Sequence, residues 1–200
     1  MIAILDYGSG NIRSAQRACE RVGLDTQVTS DPKIASEALG LVVPGVGAFS
    51  SCVEQLRAIG GDDLIRERAN SGRPVLGICV GMQILFEESE EGGKGSLPGL
   101  GLIPGKIKRL PASILPQIGW NQVRATAGSK LFRGLVDQSF YFVHSYGLIK
   151  PPAEAEYATS DYQGEFVAAV EIGAISAVQF HPEKSGPAGL RLLANWAQTL

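Results

Sequence analysis

Along the first half of the chain, short unbroken apolar runs take turns with stretches in which apolar residues recur every three or four positions. The apolar runs are Ile2 to Asp6, Asp25 to Thr29, "LGLVVPG" at 39 to 45, and Pro74 to Ile78. Between them lie helical patterns: Asn11 to Val22, closed by Gly23; Ser50 to Asn70, broken at "IGGDD"; and Gly81 to Ser89. Unbroken apolar strands suit a parallel sheet covered on both faces, and strands alternating with helices of this length build one. "EESEEGGKGSLPGLG" follows, rich in glycine and charge, and reads as a surface loop or the rim of a site. The second half is richer in strands: "GLIPGKIKRL", "QSFYFVHSYG", "EYATSDY" and "FVAAVEIGAISAVQFHPE", joined by what read as hairpins. "GPAGLRLLANWAQTL" closes the chain as an amphipathic helix with Leu190, Leu193, Trp196 and Ala197 on one face. The expected fold is α/β: an open, mostly parallel twisted sheet, helices on both faces, antiparallel edge strands. No repeat, low-complexity segment or linker divides the chain, so residues 1–200 are expected to form a single domain.

Composition narrows the function. The 200 residues are 44% apolar and 19% charged, with 18 basic against 20 acidic side chains and a net charge of −2. That balance gives no reason to expect a nucleic-acid or membrane partner. The apolar stretch Ile2 to Leu5 has no basic leader and reads as a first strand rather than a signal peptide. No apolar run approaches the roughly 20 residues a bilayer span needs, and a cytoplasmic location is expected. Three cysteines, an odd number without CxxC spacing, suggest neither a disulfide framework nor a metal site. Cys19 and Cys52 lie in helical patterns and read as small core residues.

Cys79 stands apart. In "RPVLGICVGMQILFEES" it ends an apolar strand and begins a helical pattern carrying Met82, Leu85 and Phe86. A nucleophile at the carboxyl end of a buried strand sits where open α/β sheets place ligands. The first amides of the following helix point at the same spot and can accept the charge of a tetrahedral intermediate. The turn is sharp, and Gly77 and Gly81 remove the side chains that would collide there. This is the geometry of a nucleophile elbow with sulfur in place of a hydroxyl. A thiol needs a base. His181 follows the apolar strand Ala174 to Phe180, and Pro182 favours an extended His181. Residues two apart in extended chain face one way, so Glu183 can hold one imidazole nitrogen while the other faces sulfur. His144 in "YFVHSYG" is the rival base but has no nearby carboxylate, and pocket lining or packing suits it better. "VVPGVGAF" ends another strand, and its glycines let backbone amides turn toward a ligand. "DYGSGN" has Arg13 where a dinucleotide fingerprint needs its third glycine, which makes that reading weak.

"GICVGMQ" resembles the nucleophile motif of the class I (triad) glutamine amidotransferases, and "FHPE" their His-x-Glu motif. Together with "IAILDYGSGNIRS", "VPGVGAF", "GWN", "YFVHSY" and "FHPEKSG", the chain looks like the glutaminase subunits of imidazole glycerol phosphate synthases in histidine biosynthesis, from Ile2 to Gly186. The resemblance implies a Cys79–His181–Glu183 triad that hydrolyses glutamine through a γ-glutamyl thioester, without cofactor or metal. It implies glutamine binding by Gln83 and Glu91 with backbone from Ser145 and Tyr146, and an oxyanion hole from the amides of Val46 and Val80. It implies a separate (β/α)8-barrel synthase subunit, paired one to one, that receives the ammonia through a tunnel. That subunit uses it to turn a phosphoribulosyl-formimino intermediate into imidazole glycerol phosphate and an aminoimidazole carboxamide ribotide. Asn11, Trp120, Asn121, Tyr141 and Lys184 are then expected at or near that interface. One departure is local: the family often has histidine in "PHMGWN", where this chain has Gln117 and Ile118. Because ammonia released into water is lost to protonation, low activity is expected of the isolated chain. The "VPGVGAF" amides are expected to stay misaligned until the partner docks. Three other readings remain: the glutaminase subunit of pyridoxal phosphate synthase, a cysteine peptidase, and a scaffold that keeps a relic triad.

Overall fold

The structure, a computed structural model, describes residues 1–93 and 95–200. Position 94 of the expected surface loop lies outside the described residues. The first half builds strand and helix in turn: β1 (Ile2–Leu5), α1 (Ile12–Arg21), β2 (Thr26–Thr29), α2 (Pro32–Glu37), β3 (Gly40–Gly45), α3 (Phe49–Ala58), α4 (Gly61–Asn70), β4 (Val75–Cys79) and α5 (Val80–Gln83). Then come β5 (Glu88–Ser89), β6 (Lys106–Arg109), β7 (Gln117–Gln122), β8 (Arg124–Ala125), β9 (Ser139–His144), β10 (Tyr146–Leu148), β11 (Glu156–Asp161), β12 (Glu165–Ile172) and β13 (Ile175–Val178). A 3₁₀ turn over Pro182–Lys184 and α6 (Gly186–Ala197) end the chain.

Among the described residues, eleven strands form one sheet along the path β2-β1-β3-β4-β13-β12-β10-β6-β5, with β11 and β8 branching from β12. From β2 to β13 every pairing is parallel, whereas β10, β11, β12 and β13 meet antiparallel. β7 and β9 form a separate antiparallel ribbon. The expected parallel sheet with an antiparallel edge is therefore present. The chain steps from β1 outward to β2 and returns past β1 to β3. Right-handed crossovers in opposite directions put α1 and α2 on opposite faces. α6 packs on α1, while α4 packs on α2 and α3. The central strands are buried throughout, as a doubly covered sheet requires.

Four expectations need correction. The helix expected over Gly81 to Ser89 lasts only to Gln83. The chain at 84–87 instead offers its carbonyls to the amides of Gly99, Leu100, Gly101, Leu102 and Ile103. A Cβ on Gly99 would sit 2.1 Å from the Phe86 carbonyl oxygen, so this docking needs glycine. Several elements were not anticipated: α2, started by Pro32 and capped by the Asp31 side chain on the Lys33 amide; β7, whose polar sequence masks a strand; and the two-residue strands β5 and β8. "QSFYFVHSYG", expected as one strand, is divided at Ser145 into β9 and β10, which belong to different sheets. Finally, the buried stripe of α6 runs through Ala188, Gly189, Leu192, Leu193, Asn195 and Trp196, with Leu190 and Ala197 at its margins. Fully burying side chains of this size stabilises by about 1.5–3 kcal/mol each, so the offset shows which face the helix docks.

Candidate active site

The carboxyl ends of β1, β3 and β4 lie side by side at the point where strand order reverses, the usual ligand position in an open α/β sheet. Cys79 occupies the end of β4, with Gly45 of β3 its neighbour in register. Its backbone is at φ 57°, ψ −115°, a conformation that costs a non-glycine residue about 1–3 kcal/mol. That strain turns the chain from strand to helix within one residue. The flanking glycines make room for it. A Cβ on Gly81 would lie 1.9 Å from the Val43 carbonyl oxygen, and one on Gly77 would lie 2.7 Å from the Gly81 carbonyl oxygen. The elbow geometry expected from the sequence is present.

His181 arrives from β13, which lies beside β4 in parallel register. Its amide donates to the Tyr141 carbonyl at 2.9 Å, and its carbonyl accepts from Ser185 Oγ at 2.6 Å. Ser185 Oγ also accepts the Tyr141 amide at 3.0 Å, so one buried hydroxyl ties the histidine to β9. His181 is extended, at φ −102°, ψ 95°, before Pro182. Nδ1 pairs with Glu183 Oε1 at 2.8 Å, both side chains being only 2% exposed. The pairing matches the expectation, although the route does not. A 3₁₀ turn from Pro182, not a continued extended segment, swings Glu183 under the ring. Burial alone would lower the His181 pKa, but hydrogen bonding and charge from Cys79 and Glu183 overcome it and raise the value to about 9. His181 Nε2 makes no hydrogen bond among the described residues and faces the cavity of Cys79.

A cavity of about 290 Å³ gathers Cys79 and His181 with Val46, Val80, Gln83, Glu91, Ser145 and Tyr146. Gln83 Nε2 donates to the Tyr146 carbonyl at 2.8 Å and to Gln179 Oε1 at 2.9 Å. The Gln179 amide nitrogen in turn lies 3.8 Å from Cys79 Sγ. Sequence reasoning passed over Gln179, although its place two residues before His181, on the same side of an extended segment, could have signalled it. Glu91 Oε2 accepts the Phe49 amide at the start of α3 at 2.7 Å and so holds the rim of the cavity. His144, the rival base, is held down to a pKa of about 4, chiefly by burial.

The amide of Val80 opens α5 directly after the sulfur. The amide of Val46 does not face it. It donates to Ser9 Oγ at 3.1 Å, and Ser9 Oγ donates to the Val46 carbonyl at 2.7 Å. Cys52 Sγ lies 3.3 Å from the same carbonyl. The Val46 amide, expected to join that of Val80 in an oxyanion hole, is therefore turned to Ser9 in this structure. Ser9 and Cys52 were not singled out: the weak dinucleotide motif drew attention away from the former, and helical periodicity made the latter look like packing. Cys19 does behave as packing, its thiol pushed up to about 12 by burial.

Trp120, Tyr141 and Lys184 come together on the outer side of the site. The Trp120 and Tyr141 rings meet edge to face at 6.1 Å, and Lys184 Nζ stands 5.7 Å over the Tyr141 ring. Trp120 remains 56% exposed and the neighbouring Ile118 63%. Asn121 turns to the opposite side of β7 and donates to the Asp161 carbonyl, and Asn11 precedes α1 without capping it through its side chain. Among the described residues, no group of acidic, histidine and cysteine side chains could hold a metal ion. No helix of theirs is long and apolar enough to cross a membrane.

The family model "Glutamine amidotransferase class-I" matches residues 3–199. The chain is 54% identical to a Mycobacterium tuberculosis protein named "Imidazole glycerol phosphate synthase subunit HisH", covering 100% of this chain and 98% of that one. Proteins of the same name from Thermobifida fusca and Corynebacterium diphtheriae are 53% and 52% identical, with 100% of this chain and 98% and 99% of theirs covered. Among solved structures, a crystal structure of glutamine amidotransferase superposes with TM-score 0.79 at 20% identity, over 99% of this chain and 97% of that one. The Trypanosoma brucei CTPS glutaminase domain with bound acivicin gives 0.65 at 18%, over 98% and 93%. At such identities the likeness speaks for the fold alone.

Proposed function

The chain belongs to the class I glutamine amidotransferases, and from that premise we propose how its residues divide the work in an imidazole glycerol phosphate synthase. It is the glutamine amidotransferase subunit of that enzyme, in histidine biosynthesis. In our reading, Cys79 is the nucleophile, His181 the general base and acid, and Glu183 the group that orients the imidazole. Residues 1–200 act as one domain, in the cytoplasm, without cofactor or metal.

Glutamine enters the cavity with its side-chain amide at Cys79 and its α-substituents toward Gln83, Glu91 and the backbone of Ser145 and Tyr146. Sγ attacks the amide carbon with the proton held on Nε2 of His181, where the raised pKa of about 9 keeps it. The amide oxygen gains the negative charge, which the amides of Val80 and, once turned, Val46 accept. His181 returns the proton to the nitrogen, the C–N bond breaks, and ammonia departs from a γ-glutamyl thioester. Water, activated by the same imidazole, then attacks the thioester and releases glutamate and free Cys79. Throughout, Glu183 Oε1 accepts from Nδ1–H, so that Nε2 is the nitrogen free to move the proton.

A (β/α)8-barrel synthase subunit, joined one to one, receives the ammonia and converts the phosphoribulosyl-formimino ribotide into imidazole glycerol phosphate and the carboxamide ribotide. The exposed strip of Trp120 and Tyr141 with Lys184 is the proposed docking face; Asn11 and Asn121 are proposed near its edges, with Asn121 on the other side of β7. Large aromatic and cationic side chains left in water at the mouth of a site are what an interface consumes. The observation that carries the reading is the buried His181–Glu183 pair, 2.8 Å apart, with His181 and Cys79 opening onto one cavity. Glutamate release is to be followed with purified chain, barrel subunit and acceptor ribotide. A large rise when the liganded partner is added supports the reading; equal rates with and without it refute the coupling.

A further inference from the structure

Gln117, one of the two residues that depart from the family pattern, is 1% exposed, yet neither Oε1 nor Nε2 finds a partner among the described residues. Directly across the β7–β9 ribbon stands His144, also buried, whose Nε2 is likewise unpartnered. Paired residues of an antiparallel ribbon point to one side, with Cβ atoms about 4.5–5.5 Å apart. Both side chains therefore project to the same side of the ribbon, and three unpartnered polar atoms border the space between them. His144 lines the cavity of Cys79, as does Pro116, next to Gln117. The Phe142 and Phe166 rings stand 5.6 and 5.1 Å from the imidazole and make the surroundings apolar. Unmet buried polar groups are costly, so this space has a built-in demand for a small hydrogen-bonding occupant.

The tautomer fixes what that occupant must offer. Nδ1 of His144 lies 2.9 Å from the Tyr146 carbonyl, which only accepts, so Nδ1 carries the hydrogen and Nε2 presents a bare lone pair. The space thus holds two acceptors, His144 Nε2 and Gln117 Oε1, and one donor, Gln117 Nε2. Ammonia has three N–H groups and one lone pair and can meet all three. We propose that Gln117 and His144 form a holding station for ammonia beside Cys79, on its way out of the glutaminase cavity. This rests on the reading of the site given above. Burial keeps His144 neutral at working pH, its pKa lowered to about 4, so the station holds ammonia without turning it into ammonium.

Gln117→Met keeps length and bulk while removing every polar atom; Gln117→Leu serves if the first does not fold. Each complex with the barrel subunit is given glutamine and acceptor ribotide, and product and glutamate are both counted. The ratio of product to glutamate is expected to fall by roughly threefold to tenfold, the factor for losing one or two hydrogen bonds to a held molecule. Gln117→His, which restores one donor and one acceptor, should bring the ratio back to that of the parent. A ratio unchanged in Gln117→Met overturns the proposal. So does a loss of glutamate release at constant ratio, which would assign Gln117 to the hydrolysis itself. A parent complex that forms no glutamate would overturn the reading of the active site, and this inference with it.

Discussion

Replacing Ser9 by alanine should wake the isolated chain. In the structure one hydroxyl holds both ends of the Val46 peptide region, accepting its N–H at 3.1 Å and donating to its carbonyl at 2.7 Å. An amide used this way cannot also stabilise an oxyanion at Cys79. Each such bond contributes a net ~0.5–1.5 kcal/mol, so the pair biases the segment toward the silent orientation by about 1–3 kcal/mol. Removing that bias shifts the population of the competent orientation by roughly 5-fold to 150-fold. Gly47, at φ 95° with open space around its α-carbon, provides a flexible neighbour for the turn. The Cys52 contact with the Val46 carbonyl remains, which argues for the lower half of the range. The assay is initial glutamate release by the chain alone at saturating glutamine, for parent, Ser9→Ala and Ser9→Thr. The alanine variant should rise within that range, and the threonine variant, which keeps a hydroxyl, should stay near the parent. A folded Ser9→Ala protein with no gain, or with a loss, would refute the idea that this bond restrains Val46.

The remaining expectations concern the triad and the scaffold. Cys79→Ala should abolish synthesis from glutamine while synthesis from added ammonium salt in the complex persists; loss of both would point to a broken interface. The His181 imidazole should titrate at about 9 by NMR, and Cys79→Ala should lower that midpoint, since Cys79 contributes to the rise. Because the folded value is the higher one, the stability His181 lends is fully present below about 6.5 and fades as pH rises through about 9. Denaturant unfolding across that window should show a steeper fall with pH in the parent than in His181→Gln. Arg68 is buried and donates to the carbonyls of Ala35, Ser36, Ala38, Leu39 and Pro74. Arg68→Leu should therefore cost about 3–5 kcal/mol of unfolding free energy by the same method, since it strands several carbonyls at once. A cost under about 1 kcal/mol would show that water replaces the guanidinium freely.

Much of the site was legible because its chemistry is tied to chain breaks. Cys79 sits where an apolar run meets a helical pattern, and Pro182 marks the stop after His181. Both signals are local. What escaped was set by distant contacts. The amides of residues 99–103 end α5 early, an effect that neither segment announces by itself. Gln179 gains its meaning only from Gln83, 96 residues away, and Ser9 only from Val46, 37 residues away. β7 reads as loop because its exposed face, Ile118 and Trp120, is the apolar one, while Gln117 takes the buried side. An inverted pattern of this kind suits a strand that awaits a partner.

Everything turns on whether Cys79 itself forms the covalent intermediate. Complex, glutamine and acceptor ribotide should be mixed, quenched in acid within the first turnovers, digested and read by tandem mass spectrometry. The account predicts a γ-glutamyl group on the peptide carrying Cys79, absent in Cys79→Ala and in samples without glutamine. Steady glutamate formation with the Cys79 peptide unmodified, or with the adduct on Cys19 or Cys52, would contradict it.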